Sequence, residues 1–338
     1  MEDIKNYTLD ELKNIFTSKG LPKFLAAQIF SWIYKKRAED FDLMTDISKP
    51  SRKYLNESFR FSKLPLARRE LSKDGTEKFL FELPDSSYIE TVLIPDKNRR
   101  TLCLSSQVGC KFGCKFCISG KAGFKRDLAV FEIVSQYLEI SKIAKGAKIT
   151  NVVFMGIGEP LDNFSNVINA VKIFTEKSGI AIAHRKISIS TCGLIPQLKD
   201  LAKMDLGIKI SISLHSADSD MRSELMPVNK KHPLRELKEV MRNFKDKRYP
   251  VSFEYCMIKD FNISKDDALK LAKLTKGLKY KLNLIPYNSS SLPLASPDDR
   301  QAKIFTEELK KRKVFFTLRK SRGQDIKAAC GKLRATWM

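Results

Sequence analysis

The sequence predicts an α/β protein: a partial, TIM-like (β/α)6 barrel, preceded by a small N-terminal helical domain and a linking β-hairpin. Three observations carry that prediction. From Thr101 onward, β-like runs alternate with helical patterns through six βα units, and such alternation implies a parallel sheet. Residues 71–94 hold two β-like runs split by turn residues. Residues 1–70 instead place apolar residues at helical spacing. The chain accordingly divides into residues 1–70, 71–100 and 101–338.

In the first part, Thr8-Leu9-Asp10-Glu11 is a capping box, and Leu9, Leu12, Ile15 and Phe16 fall on one face of the helix it starts. Gly20, Leu21 and Pro22 end that helix. A second spans about 23–37, with Phe24, Ala27, Ile29, Phe30, Trp32 and Ile33 as apolar surface. A third follows Ser48-Lys49-Pro50 and carries Tyr54, Leu55 and Phe59. Phe79–Leu83 and Tyr88–Ile94 read as strands, and Pro84-Asp85-Ser86-Ser87 as the turn between them. Barrel strands follow at about 101–106, 150–155, 185–190, 207–213, 251–256 and 281–285. Their helices fall at about 127–144, 163–178, 194–203, 233–246, 264–276 and 297–312. Val314–Leu318 is a last β-like run. Six units are too few for a closed eight-fold barrel. That leaves an open, partial barrel or a doubly wound sheet.

Of 338 residues, 62 are Lys or Arg and 39 are Asp or Glu, a formal net charge of +23, and 43% are hydrophobic. That much apolar material excludes wholesale disorder. No stretch reaches the roughly 18 uninterrupted apolar residues of a membrane span. The start, MEDIKNYTLDEL, is acidic and polar and lacks a signal-peptide core. The positive charge fits a polyanionic partner, nucleic acid above all, or a solubilising lysine-rich surface. Seven cysteines is an odd count in a chain without an export signal. Metal or redox chemistry explains it better than structural disulfides.

The sharpest local signal is Cys110-Lys111-Phe112-Gly113-Cys114-Lys115-Phe116-Cys117, just after the first barrel strand and among Gly109, Gly113 and Gly120. Three thiolates this close can converge on one inorganic centre. Tetrahedral zinc wants a fourth Cys or His, and no CxxC or HxxxH follows. A [4Fe–4S] cluster is normally held by four thiolates, so three would leave one iron open for a small molecule. Downstream, an apolar strand ends in Gly156, Gly158 and Glu159. Glycine lets backbone approach a ligand closely, and Glu159 can accept from an ammonium group. Ser188, Ser190 and Thr191, then Ser211, Ser213, Leu214 and His215, and finally Asn288 end other strands. Polar groups there face the mouth of a barrel.

This CxxxCxxC resembles the radical S-adenosylmethionine (SAM) superfamily, and Gly158-Glu159-Pro160 resembles its motif for the SAM amino group. The sequences around Cys103 (Thr101-Leu102-Cys103-Leu104) and Cys330 (Lys327-Ala328-Ala329-Cys330-Gly331) resemble the RlmN/Cfr group of RNA adenine methyltransferases. The resemblance runs over essentially the whole chain. It implies that Cys110, Cys114 and Cys117 hold a [4Fe–4S] cluster, and that Gly158, Glu159, Ser190, Ser213, Leu214, His215 and Asn288 bind SAM, with two SAM consumed per turnover. It also implies that Cys330 accepts a methyl group, that its activated carbon joins the adenine, and that Cys103 breaks the adduct with a Cys103–Cys330 disulfide. Glu90 or Cys103 then takes the ring proton. Cys192 and Cys256 read as ordinary buried thiols.

Pro160 and Pro286 stand where the C8-methylating Cfr branch tends to carry Ala and Arg. The resemblance thus points to methylation at C2, on adenosine 2503 of 23S rRNA and adenosine 37 of tRNAs. Ser216 and Lys327 depart from the pattern, where Ala and an acidic residue are more usual. The implied partners are 23S rRNA, tRNA and an electron donor such as flavodoxin or ferredoxin, for a cytoplasmic monomer with no membrane contact. Lys35, Lys36 and Arg37 are one candidate RNA surface. The competing readings are C8 methylation and a zinc-bound RNA-binding module without catalysis.

Overall fold

A computed structural model describes residues 1–144, 148–244, 247–289 and 292–333. Residues 245–246, at the end of the helix expected over 233–246, lie outside the described residues.

Helix α1 (Leu9–Ser18) starts in the expected capping box. Thr8 Oγ1 accepts from the Glu11 N–H, and the Glu11 carboxylate accepts from the Thr8 N–H at 2.7 Å. Helix α2 (Lys23–Ser31) runs into one π-helical turn over residues 32–36, which Arg37 ends in the left-handed region. Helix α3 (Lys49–Ser58) is capped by Ser48 and carries Pro50 in its first turn. Leu12, Phe16, Ile29, Phe30 and Leu55 are buried where these helices meet. Strands β1 (Glu2–Asp3) and β2 (Phe59–Arg60) pair in parallel and tie the two ends of the group together.

Ten strands form one sheet. They are β3 (Leu66–Leu71), β4 (Glu77–Glu82), β5 (Tyr88–Asp96), β6 (Arg99–Cys103), β9 (Asn151–Phe154), β10 (Ile187–Thr191), β11 (Lys209–Ser213), β12 (Val251–Met257), β13 (Tyr280–Pro286) and β14 (Phe316–Leu318). Strands β7 (Gln107–Gly109) and β8 (Phe124–Asp127) make a separate antiparallel ribbon. The spatial order is β14-β13-β12-β11-β10-β9-β6-β5-β4-β3. From β6 through β14 every pair is parallel. A doubly wound sheet reverses its strand order partway. Here the order runs monotonically with the chain, so the fold is the partial barrel. Helices α5 (Val130–Ile143), α6 (Phe164–Thr175), α7 (Ile195–Lys203), α9 (Leu234–Arg242), α10 (Lys265–Thr275) and α11 (Asp299–Lys311) make the crossovers. Two short helices, α4 (Ile118–Lys121) and α8 (Ser219–Leu225), sit in loops.

The expected hairpin exists as β4 and β5, but it is continuous with the barrel. Strand β5 pairs antiparallel with β6 through a tight turn at Asp96 and Arg99. Strand β3 adds an edge, formed by residues 66–71, of which residues 66–70 lie in the part expected to be helical. Leu66-Ala67-Arg68-Arg69-Glu70-Leu71 has no apolar stripe of helical period. Its charged side chains suit an exposed sheet edge. Among the described residues, no helix is long and apolar enough to cross a membrane.

Helix α5 covers one face of β5 and β6, where Thr91 Oγ1 donates to Gln136 Oε1 at 2.7 Å. Alternation along β5 therefore turns Glu90 and Val92 to the opposite, inner face. Cys103 lies opposite Val92 in the β5–β6 register and shares that face. The N-terminal helices dock outside. Asn6 Oδ1 accepts from the Phe131 N–H, and Arg37 donates to the Ser141 carbonyl at 3.0 Å.

Candidate active site

A cavity opens at the carboxyl ends of the parallel strands, with about 1170 Å3 free of protein atoms, its open mouth included. Residues from the ends of β9 to β13, the cysteine loop and the C-terminal segment line it. This is the end of a barrel where catalytic groups gather.

Cys110, Cys114 and Cys117 all line this cavity, each half-buried. The β7–β8 ribbon clamps the loop's base, where the Cys110 N–H donates to the Gly123 carbonyl at 2.7 Å. Gly109 makes that approach possible: it has φ +78°, and a Cβ there would stand 1.9 Å from the Gly123 oxygen. Burial, then the Cys117 thiol opposite, push Cys110 up to about 12. Burial and both neighbouring thiols also push Cys114 up. Three thiolates can share this pocket only around a cationic centre. No three His, Cys, Asp or Glu side chains among the described residues are drawn together for a single metal ion.

Arg222, in α8, strengthens the fit. It is fully buried (0% exposed), and its hydrogen bonds run to the carbonyls of Leu214, Ser213 and Cys192 and to Asn229 Oδ1. None of those partners is an anion. Burial lowers its guanidinium to about 10, while the Cys192 and Cys114 thiols oppose that shift. A buried cation is costly without a counter-charge, and an anionic thiolate cluster supplies one. Sequence reading missed Arg222; the signal was an Arg inside an otherwise ordinary helix start.

Gly158 has φ +102°, and a Cβ there would lie 2.5 Å from Gln107 Cβ. Only glycine fits. Glu159 follows, buried, with Oε1 accepting from the Leu161 N–H at 3.0 Å and Oε2 from the Cys192 N–H at 2.7 Å. Burial raises this carboxyl against those bonds. Glu159 therefore pins the ends of β9 and β10 as well as facing the cavity. Ser190, Ser213 and His215 line the same wall, and Asn288 lines it from beyond β13. His215 has φ +54°, accepts the Cys256 N–H on Nδ1 at 2.9 Å, and packs edge-on against Phe116 with centroids 4.4 Å apart. Burial, with Arg222 nearby, lowers it to about 3, so the ring is neutral with its proton on Nε2. Leu214 is buried behind the wall rather than in it; its carbonyl anchors Arg222.

Cys330 reaches the cavity from the C-terminal segment. That segment is strapped to the cysteine loop: the Ile118 N–H donates to the Gly331 carbonyl at 2.8 Å, and Ser119 Oγ to the Leu333 carbonyl at 2.7 Å. Asn288 Nδ2 donates to the Cys330 carbonyl. Cys330 is accessible through the open cleft, yet protein surrounds it elsewhere; burial raises its thiol, and the Glu254 carboxylate adds to that. Cys103 is buried outside the cavity lining, in electrostatic reach of Cys330, and burial pushes its thiol far up. Both are free thiols, so the Cys103–Cys330 disulfide is not present. Glu90 also lies outside the lining, paired with Lys78 at 3.0 Å.

Cys192 and Cys256 are buried thiols, as read, and both also line the cavity. One more lining group went unread in the sequence. Glu254 Oε1 accepts from Asn283 at 2.9 Å, while its buried Oε2 has no hydrogen-bond partner and sits 4.0 Å from Arg319. Lys35, Lys36 and Arg37 are all exposed; Lys36 also pairs at the surface with Asp46 at 3.0 Å over the Trp32 ring, and Arg37 donates to the Ser141 carbonyl of α5.

Comparison with known proteins agrees with this geometry. Residues 104–272 match the radical SAM superfamily, and residues 2–60 match the ribosomal RNA large subunit methyltransferase N-terminal domain. A dual-specificity RNA methyltransferase RlmN from Campylobacter lari is 44% identical over 99% of this chain and 98% of its own. A probable RlmN from Dictyoglomus turgidum is 42% identical, covering 100% and 98%. The crystal structure of a radical SAM methyltransferase from Sphaerobacter thermophilus superposes with a TM-score of 0.93, at 38% identity, covering 99% of this chain and 100% of that one. A [4Fe–4S] cluster and SAM are the cofactors that this superfamily brings. The chain thus belongs to the radical SAM superfamily and, within it, to the RlmN family of RNA methyltransferases.

Proposed function

We propose that this radical SAM RNA methyltransferase places a methyl group on C2 of adenosine 2503 in 23S rRNA and of adenosine 37 in tRNAs. The observation that carries the reading is one cavity lined by the CxxxCxxC thiols, Glu159 and Cys330 together. Cys110, Cys114 and Cys117 hold the cluster. Gly158, Glu159, Ser190, Ser213, His215 and Asn288 bound the SAM site, with Leu214 behind them. When bound, cluster and SAM supply a 5′-deoxyadenosyl radical, which an electron-poor ring carbon requires because it is no nucleophile.

Cys330 has two tasks. As a thiolate, its Sγ takes a methyl group from one SAM, the step for which a thiolate is the proper nucleophile. It then presents that carbon, activated with a second SAM, to C2 of the adenine, so that protein and RNA become covalently joined. Glu90 or Cys103 removes the ring proton. Cys103, on the same inner face as Glu90, supplies the thiol that breaks the adduct. The target base must leave its stack to reach a cavity this deep. The enzyme works as a cytoplasmic monomer fed by a flavodoxin or ferredoxin.

Cys330 and Cys103 should fail differently. Cys330→Ala should accept no methyl and leave RNA untouched. Cys103→Ala should still become methylated at Cys330 and should accumulate RNA bound to protein, seen as a slow, nuclease-sensitive band on a denaturing gel. Absence of that band, with normal product formation, would remove Cys103 from the mechanism. Mapping the product with deuterium at C2 or C8 checks the regiochemistry: retention of a C2 label would refute the C2 assignment.

A further inference from the structure

The cavity wall holds a buried acceptor that no described residue uses. Ser213 on β11, Glu254 on β12 and Asn283 on β13 stand in one register row across the sheet. Asn283 Nδ2 donates to Glu254 Oε1 at 2.9 Å, which fixes the oxygen of that carboxylate that is left over. The other, Oε2, is buried with no hydrogen-bond partner among the described residues. Glu254 as a whole is 6% exposed and lines the cavity. A buried polar atom left unpaired is costly and calls for a partner. Arg319 does not relieve it. Its backbone N–H is tied to the Leu284 carbonyl just past β14, and its side chain, half exposed, also lines the cavity. The guanidinium stands 4.0 Å from Oε2. Hydrogen bonds span roughly 2.7–3.2 Å, so the two groups attract without bonding. An acceptor and a donor therefore stand side by side, and a ligand carrying the opposite pair would satisfy both.

Two carboxylates divide the cavity between them. Glu159 is the one in electrostatic reach of Cys110, Cys114 and Cys192. Glu254 and Arg319 are the first charged groups to act on Cys330. A ligand that they hold is beside the sulfur that carries the methyl group. Adenine has the matching pair. Its N6 amine donates and its N1 accepts, both on the Watson–Crick edge, which is the edge read in bases drawn out of their stack. N1 also adjoins C2, the carbon that Cys330 must reach. The adenine of SAM offers the same edge, but the nearness of Glu254 and Arg319 to Cys330 favours the base in the RNA.

We propose that Glu254 and Arg319 read the target adenine: Glu254 Oε2 accepts from the N6 amine, and an Arg319 N–H donates to N1. The proposal rests on adenine being the target, and it assigns the residues that distinguish it from other purines. A base with an oxo group at C6 sets an acceptor against Oε2 and a donor against Arg319, so it is refused twice.

The test uses the reconstituted full-length enzyme and RNA with adenosine, purine riboside (which lacks the C6 amine) or inosine at the target position. Two quantities are read: kcat/KM for each RNA, and the rate of S-methylation of Cys330 without RNA, by mass spectrometry. The wild type should prefer adenosine to purine riboside by roughly tenfold to a hundredfold, the worth of one hydrogen bond to a charged group, and should reject inosine. Glu254→Ala should bring adenosine down to the purine riboside level and leave purine riboside nearly unchanged. It should methylate Cys330 no more slowly than the wild type, since the Glu254 carboxylate raises that thiol. In Glu254→Gln, Asn283 keeps the amide oxygen and the amide N–H groups face the ring. The adenosine-to-inosine ratio should then fall at least about tenfold. Arg319→Met should slow adenosine and purine riboside alike, because both keep N1; slowing of neither overturns the pair. An equal loss on all three RNAs in Glu254→Ala would mean a structural role and overturns the proposal. Slower Cys330 methylation there, with discrimination intact, would assign Glu254 to the adenine of SAM and overturns it too. If Glu254→Ala fails to fold, Glu254→Gln decides by its ratio. Adenosine RNA left untouched by the wild type would sink the adenine reading itself, whereas the other adverse outcomes sink this proposal alone.

Discussion

Glu159 shows how one side chain can carry two duties. The sequence offered it as an acceptor for an ammonium group, and the fold has it receiving two backbone N–H groups as well. Removing it leaves two buried donors unpaired, each costing about 1–3 kcal/mol. Glu159→Ala should therefore lose SAM affinity and also melt several degrees lower, by calorimetry or circular dichroism; unchanged SAM binding would take Glu159 out of the pocket. The neighbouring residues differ in how readable they were. Gly158 announced itself, because a glycine before an acidic residue at a strand end signals close backbone approach. Arg222 and Glu254 did not. Their meaning depends on burial and on which carbonyls or anions lie nearby, and neither is encoded by local spacing.

At the scale of elements, the loop that holds Cys110, Cys114 and Cys117 and the segment that carries Cys330 form one unit. Ile118 and Ser119 bind the carbonyls of Gly331 and Leu333. Gly331 sits at φ +79°, where a Cβ would press to 3.1 Å from the Phe116 carbonyl. Replacing it with Val should strain the turn and lift the segment off the loop. We expect Gly331→Val to keep its iron content and lose at least about tenfold in the rate of Cys330 methylation, a rise of about 1.4 kcal/mol in the barrier. Normal methylation would mean that the strap does not position Cys330. Local signals fixed most of this protein's elements well: the capping box at Thr8 starts α1 as read from the residues. Strand β3 escaped, because an exposed edge strand lacks apolar alternation and is specified by its partner β4.

For the whole molecule, the net charge of +23 is the property that bears on RNA. Lys35, Lys36 and Arg37 stay exposed, so they remain available to phosphate along with the rest of a broadly basic surface. RNA affinity should fall about tenfold or more between 50 and 200 mM salt, because each neutralised phosphate releases counterions. A flat salt dependence, measured by filter binding or anisotropy, would contradict the electrostatic reading. Strand order is a property of the same scale. Six βα units allowed an open barrel or a doubly wound sheet, and the monotonic order of the parallel strands chooses the former.

The sequence by itself determined the elements of the barrel, the cysteine motif, the glycine-acidic turn and the two outlying cysteines, because each is written in contiguous residues whose chemistry survives without a fold. The tertiary structure decided what lies far apart in the chain: the hairpin fused into the barrel sheet, Cys256 and Glu254 turned into the cavity, Arg222 buried beside the thiols, and Glu70, Lys78, Glu90 and Cys103 aligned on one face. The physical reason is that burial and strand register are collective. A side chain's charge, accessibility and partners depend on neighbours that the chain brings in from elsewhere, and no spacing of residues along the sequence states them.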